Sequence, residues 1–312
     1  MTVNLAEWPV LVLTAGLATR LRPLSDVRAK AALPVAGSPL VERILRQLQR
    51  AGVRRVVLNL HHRADTITRI VGDGATLGLD VRYSWETTVL GSAGGPARAI
   101  PLLEADRFLI VNGDTLTDVD LRAIAAQHVE TNALVTMAVV EGREGYNGVI
   151  ARRHGIVDGF GRAPGAFHFI GVQAVNAAVF AGVDPSATSE TVHGIYPRVI
   201  AERPEAIRIF QSRSEFFDIG APRDYLDTAL TLATRDGRPA DRGDDCVVAD
   251  DAVLAHTIVW DRVRIGQGVS LDHCVVADDV VVPDGATYSH CSLVMRDNVL
   301  IADGFSSRAI PR

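Results

Sequence analysis

Residues 13–37 read LTAGLATRLRPLSDVRAKAALPVAG, and Val10 to Leu13 form an unbroken apolar run leading into them. Four apolar residues without a polar break read as a strand buried on both faces, and the small, basic, proline-marked stretch that follows reads as a long loop at its carboxyl end. Ala15, Gly16 and Ala18 leave the backbone thinly covered, so several N–H groups can come close to a ligand. Arg20 and Lys30 add a forked cation and a point charge, a pair suited to a polyphosphate chain. The loop is not a P-loop, since G-x-x-x-x-G-K-[ST] is missing. Nor does a G-x-G-x-x-G follow the strand, which argues against the dinucleotide-binding fingerprint.

Working outward, short apolar runs alternate with helical patterns as far as about Thr234. Strands are expected at 53–59, 79–84, 108–112 and 133–140, and helices at 64–71, 92–100 and 121–129. Ser38-Pro39 reads as the N-cap and first residue of a helix that runs to Ala51 and stops at Gly52. This rhythm predicts an α/β layered domain on a mostly parallel sheet. The polar stretch 235–245 reads as a linker, giving expected units of 1–234 and 246–312.

The tail follows another rule. Residues 252–268 (AVLAHTIVWDRVRIGQG) and 269–285 (VSLDHCVVADDVVVPDG) match at an interval of 17, and a third copy starts at Ala286. Short strands at every five or six positions, with Gly at corners, predict a three-sided solenoid of stacked coils. The phrase Cys-Val-Val-Ala-Asp-Asp recurs at 246–251 and 274–279, and the shift of 28 is close to five sides, so the two copies are expected on different faces.

A chain of 312 residues with a formal charge of −5 and pI near 6.0 offers no general attraction to polyanions, which argues against nucleic acid as a partner. Cys246, Cys274 and Cys291 lack zinc-site pairing and fit a reducing compartment. No basic-apolar leader or apolar run of about 18 residues is seen, so a cytoplasmic protein with no membrane partner is expected.

Residues 13–37 closely resemble the signature of sugar-1-phosphate nucleotidyltransferases, L-[AT]-[AG]-G-x-G-T-R-L-x-P-L-T followed by P-K and P-[LV]-x-G. Gly16, Thr19, Arg20, Pro23, Lys30 and Pro34 to Gly37 stand where the pattern has them. Ala18 replaces its second glycine and Ala29 its proline, and a methyl group at 18 predicts a negative φ there. ETTVLGSAGGP at 86–96 resembles the family's E…L-G-T-A-G, LIVNGD at 109–114 its strand-end G-D, FHFIGV at 167–172 its sugar-side strand, and FDIGAPRDYL at 217–226 its W-x-D-I-G-T-P-x-x-Y-L. Tyr146-Asn147-Gly148-Val149 resembles its Y-G-V segment, while the E-K-P that usually follows is missing from 151–165.

The resemblance implies a Rossmann-like, GT-A-like domain and transfer of a nucleotidyl group from an NTP to a sugar 1-phosphate. It implies catalytic roles for Arg20, Lys30 and Asp114, and Mg²⁺ held by Asp114 and Asp218. It further implies nucleotide contacts at Leu13, Ala15, Gly16, Thr19, Gly91 and Ser92, and sugar contacts at Gly148 and Gly171. GTP with mannose 1-phosphate is the first expectation; UTP, dTTP or ATP with glucose or N-acetylhexosamine 1-phosphate is the alternative. The rivals are a non-catalytic regulatory homologue that binds a nucleotide sugar, and an acyltransferase built on the tail. The tail resembles a left-handed β-helix of hexapeptide repeats, for which packing on the catalytic unit or building a homo-oligomer is expected. Its His256, His273 and His290 recur once per coil and read as a repeated corner residue rather than one general base.

Overall fold

The computed structural model describes residues 3–142, 148–237 and 242–305. Its main sheet has seven strands: β1 (Val10–Leu13), β2 (Arg55–Leu60), β3 (Asp80–Trp85), β4 (Arg107–Asn112), β5 (Val135–Val140), β6 (His168–Asn176) and β7 (Ile207–Gln211). They lie in the order β7-β5-β6-β4-β1-β2-β3. All run parallel except β6, which is antiparallel to both β4 and β5. Helices α1 (Leu40–Ala51), α2 (Ala64–Val71), α3 (Gly91–Leu103), α4 (Leu121–Thr131), α5 (Tyr196–Glu202) and α6 (Pro222–Arg235) cover the sheet.

Both faces of the sheet are buried, which is why the strands read as continuous apolar runs. Val10 and Val12 belong to one core, with Val56, Leu58, Leu109 and Val111. Leu11 belongs to the other, with Val57, Phe108 and Ile110. After β1 the chain builds β2 and β3 on one side and then crosses to place β4 on the other. Crevices at such reversals are where open α/β sheets take ligands. Here the strand ends nearly touch: the Gly113 N–H donates to the Leu13 carbonyl at 2.9 Å, and a Cβ on Gly113 would sit 2.5 Å from that oxygen.

One helix start differs from expectation. Ser38 is not the N-cap: Ser38-Pro39 is the second arm of a tight hairpin with Pro34–Val35, turned by Ala36 (φ 48°) and Gly37 (φ 73°), and Pro39 takes the N-cap position without a side-chain hydrogen bond. Two successive left-handed residues make a hairpin turn whose register leaves Ser38 paired to Val35, so α1 begins at Leu40. Its end is as read, with Gly52 left-handed at φ 102°.

The tail forms three small sheets whose parallel strands pair residues 17 apart, and the third ends in an antiparallel hairpin of Cys291–Arg296 with Val299–Gly304. Val247, Arg264 and Val281 align in one, Val253, Ser270 and Thr287 in a second, Ile258, Val275 and Ser292 in a third. The two Cys-Val-Val-Ala-Asp-Asp copies fall in the first and third sheets. Parallel pairing already begins with Arg242 opposite Val259, inside the stretch read as linker. Corner aspartates repeat too: Asp261 accepts from the Asp244 N–H and Asp278 from the Asp261 N–H.

The tail is packed onto the α/β unit through a shared core. Trp260 is fully buried and its indole N–H donates to the Tyr225 hydroxyl on α6 at 3.0 Å; that hydroxyl in turn donates to the Pro34 carbonyl.

The buried His128 of α4 hydrogen-bonds Thr136 and Asn176 at 3.0 and 2.8 Å and meets Trp8 edge-on. Burial pushes its pKa down. A histidine held neutral in the fold protonates more readily once unfolded. Its contribution is therefore complete above the ordinary imidazole value of about 6.5 and is lost as pH falls toward the depressed one. Chemical denaturation at about pH 7.5 and about pH 5.5 should show the wild type losing stability on acidification, and His128→Gln losing distinctly less.

Candidate functional site

The loop after β1 arches over the junction of β1 and β4 and encloses a cavity of about 400 Å³. Leu13, Thr14, Gly16, Leu17, Ala18, Thr19, Arg20 and Lys30 line one side, and Val89, Gly113, Asp114 and Gly220 the other. Four stretches of the chain, the first at Leu13 and the last at Gly220, thus meet at one crevice. Asp114 stands just past the end of β4. Asp218 is brought beside it by the short antiparallel pair Thr115–Thr117 and Phe216–Asp218, where Asp218 lies opposite Thr115 and the Ile219 N–H donates to the Asp114 carbonyl at 3.1 Å.

Lys30 donates from Nζ to Asp114 Oδ2 at 2.7 Å, with its side chain only 15% exposed. Asp218 keeps one face open to solvent, yet its pKa is raised, chiefly by desolvation and next by the charge of Asp114, against partial relief from Lys30 and Arg20. Two carboxylates sharing one small volume with incomplete neutralisation have a residual demand for positive charge. Hard oxygen donors of this kind fit Mg²⁺, which takes one or two carboxylates and completes its shell with water and phosphate oxygens. Asp114 and Asp218 are therefore the pair that could hold such a cation.

Ala18 does not take the negative φ expected for a residue with a methyl group. It sits at φ 49°, ψ 43°, the left-handed region that glycine favours. The loop keeps a glycine-like path there, held by the Leu21 N–H bonding the Ala18 carbonyl at 2.9 Å and by the Ser25 hydroxyl bonding the same oxygen at 3.0 Å. Gly16, by contrast, has no positive φ, and a Cβ on it would meet nothing within 4 Å.

The remaining expected contact residues are placed unevenly. Ala15 is buried behind the loop. Gly91 and Ser92, at the start of α3, lie against the segment 189–191: a Cβ on Gly91 would fall 2.6 Å from a Glu190 oxygen, and the Ser92 hydroxyl donates to Glu190 at 2.5 Å. They do not line the loop cavity, although Val89 does. Gly171 has φ 76° at the irregularity in β6 and packs against Asn112 and Thr115, next to Asp114. Gly148 packs against Ala166 and Phe167; Tyr146 and Asn147 lie outside the described residues.

Sequence reading missed a buried polar chain beneath the loop. The Thr14 N–H donates to Asn59 Oδ1 at 2.7 Å, Asn59 Nδ2 donates to Glu86 Oε1 at 2.7 Å, and Glu86 Oε2 accepts from the Leu90 N–H at 2.9 Å. Asn59 and Glu86 are 4% and 6% exposed, so this chain locks the first loop to the start of α3. The available signal was Asn59 as a polar break in the apolar run Val56–Leu60.

Arg28, two residues before Lys30, was also passed over. Its guanidinium donates to both oxygens of Asp278 at 2.7 and 2.6 Å and to Asp261 at 2.5 Å, and it lies over the Trp260 ring at 5.3 Å.

A mostly parallel sheet with a basic loop and an acidic pair at its switch point defines an α/β protein with its candidate ligand crevice at the carboxyl ends of β1 and β4. The comparisons make the class specific. Residues 9–235 match the family model described as nucleotidyl transferase, and the chain belongs to that family, among the sugar-1-phosphate nucleotidyltransferases. It is 43% identical over 114 residues to the N-acetylmuramate alpha-1-phosphate uridylyltransferase of Neisseria meningitidis, covering 36% of this chain and 49% of that one. It is 35% identical over 130 residues to the mannose-1-phosphate guanylyltransferase of Mycobacterium tuberculosis, covering 42% and 36%. These two matches thus span about half or less of the relatives' length. A longer match at 26% identity covers 91% of this chain and 80% of the probable mannose-1-phosphate guanylyltransferase 3 of Oryza sativa. The crystal structure of HddC from Yersinia pseudotuberculosis shares the fold, with a TM-score of 0.61 at 22% identity over 72% of this chain and 99% of that one. No helix among the described residues is long and apolar enough to cross a membrane.

Replacing Ala18 by glycine removes the left-handed strain while adding back some chain entropy, for a net stabilisation of about 1 kcal/mol. Denaturant titration should show a higher midpoint for Ala18→Gly with turnover equal to or above wild type. A lower midpoint would mean that the methyl group has packing value that outweighs the strain.

Proposed function

We propose that the protein transfers a nucleotidyl group from an NTP to a sugar 1-phosphate, giving an NDP-sugar and pyrophosphate. The observation that carries this reading is the meeting of Arg20, Lys30 and Asp114 around one cavity at the β1/β4 reversal, with Asp218 held beside Asp114 by strand pairing. In this reading Leu13, Ala15, Gly16 and Thr19 shape the nucleotide side, and the open space at Gly16 is filled by bound nucleotide rather than by protein. Gly91 and Ser92 edge that side behind Val89, while Gly148 and Gly171 belong to the sugar side.

An oxygen of the sugar 1-phosphate forms the new bond to the α-phosphorus as the bond to the pyrophosphate leaving group breaks, with no covalent enzyme intermediate. Mg²⁺, held by Asp114 and Asp218, would supply charge neutralisation for the phosphate oxygens when bound. Arg20, exposed at the cavity mouth, is free to take the triphosphate in a forked contact. Lys30 is tethered to Asp114 and has two further N–H groups to direct at phosphate oxygens. The residues hold the reactants in line and offset developing charge, which is most of what phosphoryl-group chemistry asks of a protein.

GTP with mannose 1-phosphate is the first reading, favoured by the relatives matched over most of the chain. UTP with an N-acetylmuramate-type sugar phosphate is the second, favoured by the higher identity in the matched 114 residues. The glycine-like path kept at Ala18 favours the enzyme over a non-catalytic homologue. We assign residues 1–234 to the catalytic unit, 235–245 to the connection and 246–312, of which 306–312 lie outside the described residues, to a left-handed β-helix, in a cytoplasmic protein able to form oligomers through that tail.

Pyrophosphate release should require Mg²⁺, one NTP and one sugar phosphate from a grid of GTP, UTP, dTTP, ATP and CTP against mannose, glucose, N-acetylhexosamine and N-acetylmuramate 1-phosphates. Silence over the whole grid, with tight binding of a nucleotide sugar, would replace the catalytic reading with the regulatory one. Asp114→Asn should lower turnover by roughly a thousandfold or more with its melting transition preserved, the scale seen when one charge-handling group is removed. Near-normal release by that variant would sink the magnesium assignment.

A further inference from the structure

On the tail, far in sequence from the residues above, His256, His273 and His290 stack along one edge, with ring centroids 4.5 and 4.8 Å apart. Each occupies a left-handed corner, at φ 45°, 52° and 52°. Strand pairing puts Ala255, Asp272 and Ser289 side by side immediately before them, so among these three only the middle coil presents a carboxylate. That carboxylate is shared. Asp272 Oδ1 lies 2.8 Å from Nδ1 of His273 and 3.3 Å from Nδ1 of His256.

We propose that His256, Asp272 and His273 form a binding site for one borderline divalent transition-metal ion, with Zn²⁺ the best fit. Three ligand atoms from these residues lie within 4.8 Å of one another. Donors bound to one zinc at about 2.0–2.2 Å in tetrahedral geometry lie roughly 3.4 Å apart, so closing the site needs only small side-chain rotations. Such rotations are open to them, because the His256, Asp272 and His273 side chains are 64%, 46% and 37% exposed. A neutral imidazole offers its Nδ1 lone pair once its proton sits on Nε2, so the ion takes the place of the two N–H donors that Asp272 now accepts. Solvent completes the shell.

Two imidazoles and one carboxylate select against Mg²⁺, which prefers oxygen donors throughout, and toward zinc, nickel or copper. The site is thus chemically distinct from the Asp114–Asp218 pair. Single occupancy follows from the lone carboxylate: His290 continues the stack but has Ser289, not an acid, beside it. An ion here joins two successive coils, and by binding the folded chain in preference it stabilises the tail by an amount that grows with the logarithm of its concentration above Kd.

The test is isothermal titration of the full chain, stripped with chelator, with Zn²⁺ alone. The wild type should take up one saturable equivalent that excess Mg²⁺ does not displace. Asp272→Ser, which copies the next coil, and His256→Asn, which tolerates the left-handed corner, should each weaken binding at least tenfold. His290→Asn and Asp114→Asn should bind as the wild type does. Circular dichroism melts of each stripped variant establish that the fold is kept, and zinc should raise the wild-type melting temperature but not that of Asp272→Ser. Absence of saturable uptake, or equal affinity in Asp272→Ser, overturns the site. Equal loss in His290→Asn overturns its assignment to the Asp272 coil. Neither result bears on the nucleotidyl transfer reading, which needs none of these residues.

Discussion

Arg28 is where the two halves of the chain hold each other. It stands two residues before Lys30, in the loop that lines the cavity, yet its guanidinium is enclosed by the tail: two oxygens of Asp278, one of Asp261, and the face of Trp260. The side chains of Arg28 and Asp278 are 14% and 11% exposed, so this is a largely desolvated, forked ion pair rather than a surface contact. Such a pair adds modest net stability, since desolvation cancels much of the attraction. Losing either partner is another matter, because the remaining charge is then buried alone. The geometry is specific for the same reason. Asp261 and Asp278 are equivalent corners of successive coils, and Asp278 also accepts the Asp261 N–H, so the coils must stack correctly before the clamp can close.

The same region is gripped a second time. Trp260 donates to Tyr225, and Tyr225 donates to the carbonyl of Pro34, which opens the hairpin at the loop's end. Lys30 therefore lies between two points that the tail and α6 fix, one on either side in sequence. Beneath the loop, the chain from Thr14 through Asn59 and Glu86 to Leu90 does for its beginning what the tail does for its end. A segment with little regular structure is thereby held at several places, a requirement for placing charges to within a fraction of an ångström.

The α/β layering, the buried β1 and the 17-residue repeat were legible because each is a periodic pattern imposed by burial, and burial leaves its mark on every residue of an element. Gly52 was legible as a stop because a left-handed cap is a local need. The start of α1 was not, since Ser38-Pro39 satisfies the local rule for a helix N-terminus and only the turn at Ala36-Gly37 overrides it. Arg28 was illegible for a different reason: its role rests on a partner 250 positions away. Asn59 and Glu86 were marked locally, one as a polar break in an apolar run and the other as the acid of a motif, but the bonds that join Thr14, Asn59 and Glu86 span 45 and 27 positions, beyond the reach of local pattern. The conformation of Ala18 was not legible because the cost of a left-handed methyl group is local whereas the contacts that hold the loop are not. The bonds to its carbonyl from Leu21 and Ser25 hold the loop in place, and they outweigh a penalty of about 1–2 kcal/mol.

The charges of the cavity make sense only as a set. Asp114 and Asp218 are held beside one another by strand pairing, so the fold itself enforces their repulsion. Lys30 answers it in part through its 2.7 Å contact with Asp114, while Asp218, with no such close partner cation among the described residues, retains the raised proton affinity. A carboxylate that the backbone keeps near another carboxylate, on a crevice open to solvent, costs stability that a hydrophobic or amide side chain would not. The fold tolerates that cost at the reversal of the sheet, where a cation and a chain of phosphates can each offset the charge that the other brings. Under the proposed function, Arg20 and Lys30 serve the phosphates and the two aspartates the cation, so that neither half of the site is electrostatically complete without the ligand of the other.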